Sequence, residues 1–199
     1  MGKKLLAAIL GGLAYFAWMS IAHIVLPLGE IGIREIPNEQ QVTTAMKANI
    51  SEDGLYFFPG YGLPATATHS QKMAAMNTLA PKIEAGPTGF MVVHPHGSKA
   101  LAPGQLLTEL ATNIVQVFIA ILLLGYTSLA SFSARWRFLT LVGIVAAIST
   151  NISYWNWYGF PSNYTAVYVI NIIVGFAVAG LVAAAMVKPA GSRASAASA

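Results

Sequence analysis

Four runs of apolar residues dominate the hydrophobic pattern, at positions 5–28, 106–126, 138–154 and 164–187. A helix rises about 1.5 Å per residue and a hydrocarbon layer is about 30 Å thick, so each run is expected to be a transmembrane helix, the third extending into the aromatic residues after it. The first, third and fourth runs hold no charged residue, and the second holds only Glu109 near its start. A signal peptide would also begin with MGKK and an apolar run, but its apolar region is only about 7–15 residues long. The first run is therefore expected to be a retained anchor.

The stretch 29–104 has a different pattern. Val42, Met46 and Ile50 recur every four residues behind Asn38, a capping residue type, and Glu39. This predicts an amphipathic helix over 39–50. Asp53-Gly54 breaks it. Leu55-Tyr56-Phe57-Phe58, closed by Pro59-Gly60, reads as a strand, as does the run 89–94, closed by Pro95. A second helix over 70–79 is expected to stop near Pro81. The expected fold is an all-α integral membrane protein of four transmembrane helices, with a small α+β extracytoplasmic insertion between helices 1 and 2. Its divisions are an anchor at 1–28, a cap at 29–104, three further helices within 105–187 and a flexible cytoplasmic tail at 188–199.

Composition sharpens this picture. The 199 residues are 56% hydrophobic and 9% charged, whereas a soluble domain carries about 25% charge. Such a chain cannot cover a globular surface with solvated groups. It is too apolar to be a disordered tail, too poor in bases to be a nucleic-acid-binding domain, and without the cysteine a disulfide scaffold requires.

The net charge of +4 is a matter of placement. Lys3 and Lys4 precede the first run, Arg135 and Arg137 lie between the second and third, and Lys188 and Arg193 follow the fourth, with no acid among them. Short positive segments stay cytoplasmic. The expected topology is N-in, C-in, with 29–104 on the outer, periplasmic side.

Ile36-Pro37-Asn38-Glu39 leading into Val42, followed by Asn49, Gly54-Leu55-Tyr56 and Pro59, resembles a set of small bacterial inner-membrane proteins with no assigned function. The resemblance covers the first third of the chain. It implies a bacterial inner (plasma) membrane and carries over no activity or site.

Several constellations could carry chemistry. His69, Met73 and Met76 share one helix face, and His94 and His96 alternate along an extended chain. Imidazole and thioether suit copper, so these five residues form a candidate metal site. Their ordinary reading is a short buried helix face and a polar turn. Within the spans, Glu109, Asn113 and Gln116 form a helical stripe, joined at similar depth by His23, Asn151, Ser153 and Asn171. Polar groups at membrane depth face protein or water. They are expected to bond between helices, the alternative being a polar pocket open to the outside. Trp155, Trp157, Tyr158 and Phe160 crowd one turn. Such rings settle at the headgroup level, where they could also contact a lipid or quinone. Small residues at Ala7, Gly11 and Gly12, and at Gly175, Ala179, Gly180 and Ala184, permit close helix approach within the chain or between chains.

No hydrolase elbow, phosphate loop, dinucleotide fingerprint or zinc-protease helix is present. The leading expectation is a non-catalytic accessory or scaffold subunit of a membrane complex. Its partners would be the lipid bilayer and other membrane subunits, or copies of itself. The alternatives are a membrane protein binding copper or another small ligand, and a small transporter.

Overall fold

A computed structural model of the chain describes residues 2–187. The expected tail, with Lys188 and Arg193, lies outside the described residues. The chain divides into two compact units. One comprises the chain up to Ile33 and from Ala100 onward, and the other is Arg34–Lys99.

The first unit is built on α1 (Gly2–Ser20), α4 (Pro103–Leu124), α5 (Phe132–Tyr158) and α6 (Ser162–Met186). α1 runs on through a π-helical turn at Ile21–Val25, so its apolar length is 24 residues. All four helices are long and apolar enough to cross a membrane. α1 and α6 are the central pair, α4 packs on α1, α5 packs on α6, and α4 and α5 touch only slightly. Large apolar side chains such as Leu5, Leu107, Val115, Leu141, Val145 and Ile170 are exposed on the outer surface of this bundle. Only an apolar surround accommodates them without cost.

Local signals fix the helix ends. α4 opens with Pro103 at its first turn, where no amide hydrogen is needed, and the Gln105 side-chain Oε1 accepts from the Ala102 N–H at 2.9 Å. α5 is capped by the Ser131 hydroxyl, which accepts from the Ala134 N–H at 3.2 Å. It ends at Gly159, whose φ of 69° lies in the left-handed region that glycine adopts freely. The cap starts α5 six residues earlier than the expected 138, at Phe132. Arg135 and Arg137 are therefore helical rather than in a turn. Arg135 is 3% exposed. Its Nε and Nη2 donate to the Ala184 carbonyl at 3.1 and 2.9 Å, and its Nη1 donates to the Ala130 carbonyl.

Small residues set how closely the helices approach. A methyl group at Gly12 would fall 2.7 Å from the Ile114 Cα, and one at Gly11 would meet Val117 at 3.0 Å and the Ala179 carbonyl at 3.3 Å. The two glycines thus let α1 contact α4 and α6 together. Gly175 makes room for the Tyr15 ring, Gly143 for Phe176, and Gly180 for Trp136 and Leu139. These small-residue contacts all lie within one chain. Between them sits the core of Ala7, Ala8, Val117, Ala120, Ile121, Leu124, Leu139, Ala179 and Ala183. With no water to exclude, packing of this kind is what holds helices together in lipid.

The second unit contains α2 (Glu39–Asn49), β1 (Gly54–Phe58), α3 (His69–Ala85) and β2 (Gly89–Val93). β1 and β2 pair antiparallel, with Gly54 opposite Val93 and Phe58 opposite Gly89. Tyr56, Phe58, Met91 and Val93 point to the shielded face and Leu55 and Val92 to the exposed one. Two expectations are corrected. Asn38 does not cap α2 with its side chain; it adopts a left-handed conformation, φ 56°, which asparagine tolerates. α3 passes through Pro81 rather than stopping there. The proline removes the amide that would bond the Asn77 carbonyl, and Asn77 is exposed, where solvent can replace that bond. The helix is launched by a reciprocal cap, in which the Thr68 N–H donates to Gln71 Oε1 at 2.8 Å and the Gln71 N–H donates to Thr68 Oγ1 at 3.3 Å.

Candidate functional site

The α4 stripe forms a continuous hydrogen-bonded line. Gln116 Nε2 donates to Asn113 Oδ1 at 2.7 Å, and Asn113 Nδ2 donates to Glu109 Oε1 at 3.2 Å. Helical spacing of four and three residues makes these contacts possible. The line runs from an exposed carboxylate to a buried amide, since Glu109 is exposed and Asn113 is buried. The Tyr15 hydroxyl of α1 lies within interaction range of Gln116 and Glu109. Its ring meets Phe176 edge-on, with centroids 5.5 Å apart.

One turn further along α1, Trp18 donates its indole N–H to the Asn171 main-chain carbonyl at 3.1 Å. The Asn171 side chain is fully buried, and neither its nitrogen nor its oxygen has a hydrogen-bond partner among the described residues. The remaining polar residues, expected to bond between helices, turn to their own helices. Asn151 Nδ2 donates to the Ala147 carbonyl at 3.0 Å, and His23 Nδ1 lies 2.9 Å from the Met19 carbonyl. Ser153 is exposed. Among the described residues, Trp18 and Trp136 reach α6 carbonyls across helices, as Arg135 does.

The aromatic turn divides into two parts. Tyr158, Tyr154, Phe160, Tyr164 and Tyr168 follow one another with ring centroids 5.6, 5.3, 5.5 and 4.3 Å apart, the last pair stacked. His23 adds an edge-on contact to Tyr168 at 6.1 Å. Trp155 instead closes the turn, its indole N–H donating to Ser162 Oγ at 3.0 Å, and Trp157 stands outward, 78% exposed. The ring series therefore bridges the end of α5, the start of α6 and the end of α1.

The imidazoles and thioethers proposed for copper lie in the second unit. His69 opens α3, and His69, Met73 and Met76 are all exposed. His94 Nδ1 is 3.0 Å from Asp53 Oδ2, both side chains being largely exposed, and His96 is exposed beyond it. Among the described residues no group of three or more His, Cys, Asp or Glu side chains is placed to hold a metal ion.

Sequence reasoning missed Tyr15 and Trp18 as partners of the polar residues, and Tyr164 and Tyr168 as members of the ring series. A signal existed for each pair. Tyr15 and Trp18 sit inside an apolar run rather than at its end, and Phe160, Tyr164 and Tyr168 fall at intervals of four. No family model, no curated protein and no solved structure matches the chain.

Proposed function

We propose that this chain is a non-catalytic integral membrane subunit that docks sideways on another membrane protein. Its proposed setting is a bacterial inner membrane, N-in and C-in, with the residues between α1 and α4 outside. The grouping of basic residues supports that topology. Lys4 lies by the end of α4 at Gly125, and Arg135, at the start of α5, bonds the end of α6. Lys3 lies in the first turn of α1 and Arg137 in the second turn of α5, so one end of the bundle carries these four bases.

Glu109 is the observation that carries the docking reading. It is exposed on α4, six residues and so about 9 Å into the helix. Leu106, Leu107, Val115 and Ile119 on the same helix are exposed beside it. A carboxylate at membrane depth is expensive against lipid, and such groups face protein or water. Its one hydrogen bond among the described residues comes from Asn113, leaving capacity for a donor from another chain. The uncovered Leu55 and Val92 of the second unit favour the same kind of role.

Mild-detergent purification of the tagged full chain tests this. The expected result is a second membrane protein in constant proportion, depleted when Glu109→Gln is purified in parallel. Recovery of the chain alone, or of copies of itself alone, from both preparations overturns it.

A further inference from the structure

The buried amide of Asn171 sets a problem that the protein chain does not solve by itself. An amide carries two donors and an acceptor. Burying it without partners costs free energy that folded proteins almost always avoid, commonly by enclosing a water molecule. In this bundle the side chain is 0% exposed and both polar atoms are unpartnered among the described residues.

The surroundings indicate where such a water would sit. Asn171 lies one turn before Gly175 on α6, and the Tyr15 ring covers Gly175 so closely that a methyl there would fall 2.6 Å from Tyr15 Cζ. The hydroxyl end of Tyr15 is thus held beside that turn of α6. Trp18, bonded to the Asn171 carbonyl, keeps this part of α1 along the same strip of α6. Positions 171 and 175 differ by about 6 Å along the helix axis. Two hydrogen bonds through one water span about 5.5 Å. Gln116, within range of the Tyr15 hydroxyl, supplies a third polar neighbour, and a buried water needs two to four.

We propose that the bundle binds a water molecule between the Asn171 amide and the Tyr15 hydroxyl, at the inner end of the polar line that begins at Glu109. One turn along α1 from Tyr15, Gly11, Val117 and Ala179 close together in an apolar layer. Hydration therefore stops at this level. The site takes a small neutral molecule that donates and accepts at once. This reading rests on the buried amide and not on any docking partner.

Nuclear magnetic resonance of the 15N-labelled full chain in detergent micelles tests it, with water-selective cross-relaxation read at the Asn171 side-chain amide. The expected result is a water cross-peak that disappears in Tyr15→Phe. Absence of the peak in the unaltered chain overturns the proposal, and so does its persistence in Tyr15→Phe. A thermal melt gives a second reading. Loss of a hydrated amide lowers the melting midpoint of Asn171→Leu, whereas removal of a dry, orphaned amide by a near-isosteric leucine raises it and counts against the water.

Discussion

Arg135 donates two hydrogen bonds to the carbonyl of Ala184, through Nε at 3.1 Å and Nη2 at 2.9 Å. The last carbonyls of a helix lack amide partners and carry its negative partial charge. A guanidinium fork laid on the end of α6 answers both. Arg135→Ala is expected to lower stability by about 1.5–3 kcal/mol, the range for hydrogen bonds to a charged group. Arg135→Lys should recover only part, because an ammonium cannot present the fork. Circular-dichroism melts in detergent measure both, and equal midpoints for Arg135→Ala and the unaltered chain would exclude this role.

Gly175 and Gly104 offer a paired test of helix packing. Alanine is favoured over glycine inside helices by about 1 kcal/mol. At Gly104 nothing lies within 4 Å of an added methyl, so Gly104→Ala should be neutral or stabilising. At Gly175 the methyl would collide with the Tyr15 ring at 2.6 Å, and overpacking of this kind costs about 1–3 kcal/mol. Combining Gly175→Ala with Tyr15→Leu should restore part of that loss, a coupling that a double-mutant cycle on melting midpoints reads directly.

Single-cysteine labelling addresses topology, and the chain contains no cysteine to remove first. Ser133→Cys, in the first turn of α5 beside the basic residues, should resist a membrane-impermeant maleimide in intact cells and react after lysis. Gly60→Cys, with open space around it, should react in intact cells. The reverse pattern would invert the proposed orientation and remove the positive-inside argument from this chain.

Length and charge made the four long apolar helices readable, because a helix able to cross a hydrocarbon layer needs a long uncharged run. Likewise the four-residue recurrence of Val42, Met46 and Ile50 was sufficient to find α2, whose half-buried side these residues form. Neighbour relations were not readable. Periodicity identifies a face but not the helix it meets, so nothing in the sequence placed α1 and α6 at the centre or matched Gly143 to Phe176. The polar residues expected to bond between helices illustrate the same limit. Glu109, Asn113 and Gln116 share a helix and do line up, but His23 and Asn151 satisfy themselves locally. Pro81 was misleading because an exposed helix can surrender one carbonyl to water.

In the second unit a histidine–carboxylate contact and an aromatic pair can be ranked against each other. Asp53 and His94 flank the Gly54–Val93 rung of the two-stranded sheet, 3.0 Å apart, with side chains 63% and 46% exposed. Exposed pairs gain little Coulomb energy in water, lose side-chain entropy and are screened by salt, for a net of about 0–1 kcal/mol. Phe57 and Phe90 face each other across the same ladder with ring centroids 5.0 Å apart. Such ring pairs contribute about 0.5–1.5 kcal/mol beyond the area they bury, and burial adds to it. Asp53→Asn is therefore expected to change hydrogen exchange at the amides of β1 and β2 slightly, and Phe57→Ala to accelerate it severalfold in the full chain. A larger effect from Asp53→Asn, persisting at high salt, would mean that the Asp53–His94 contact and not the rings holds the two strands together.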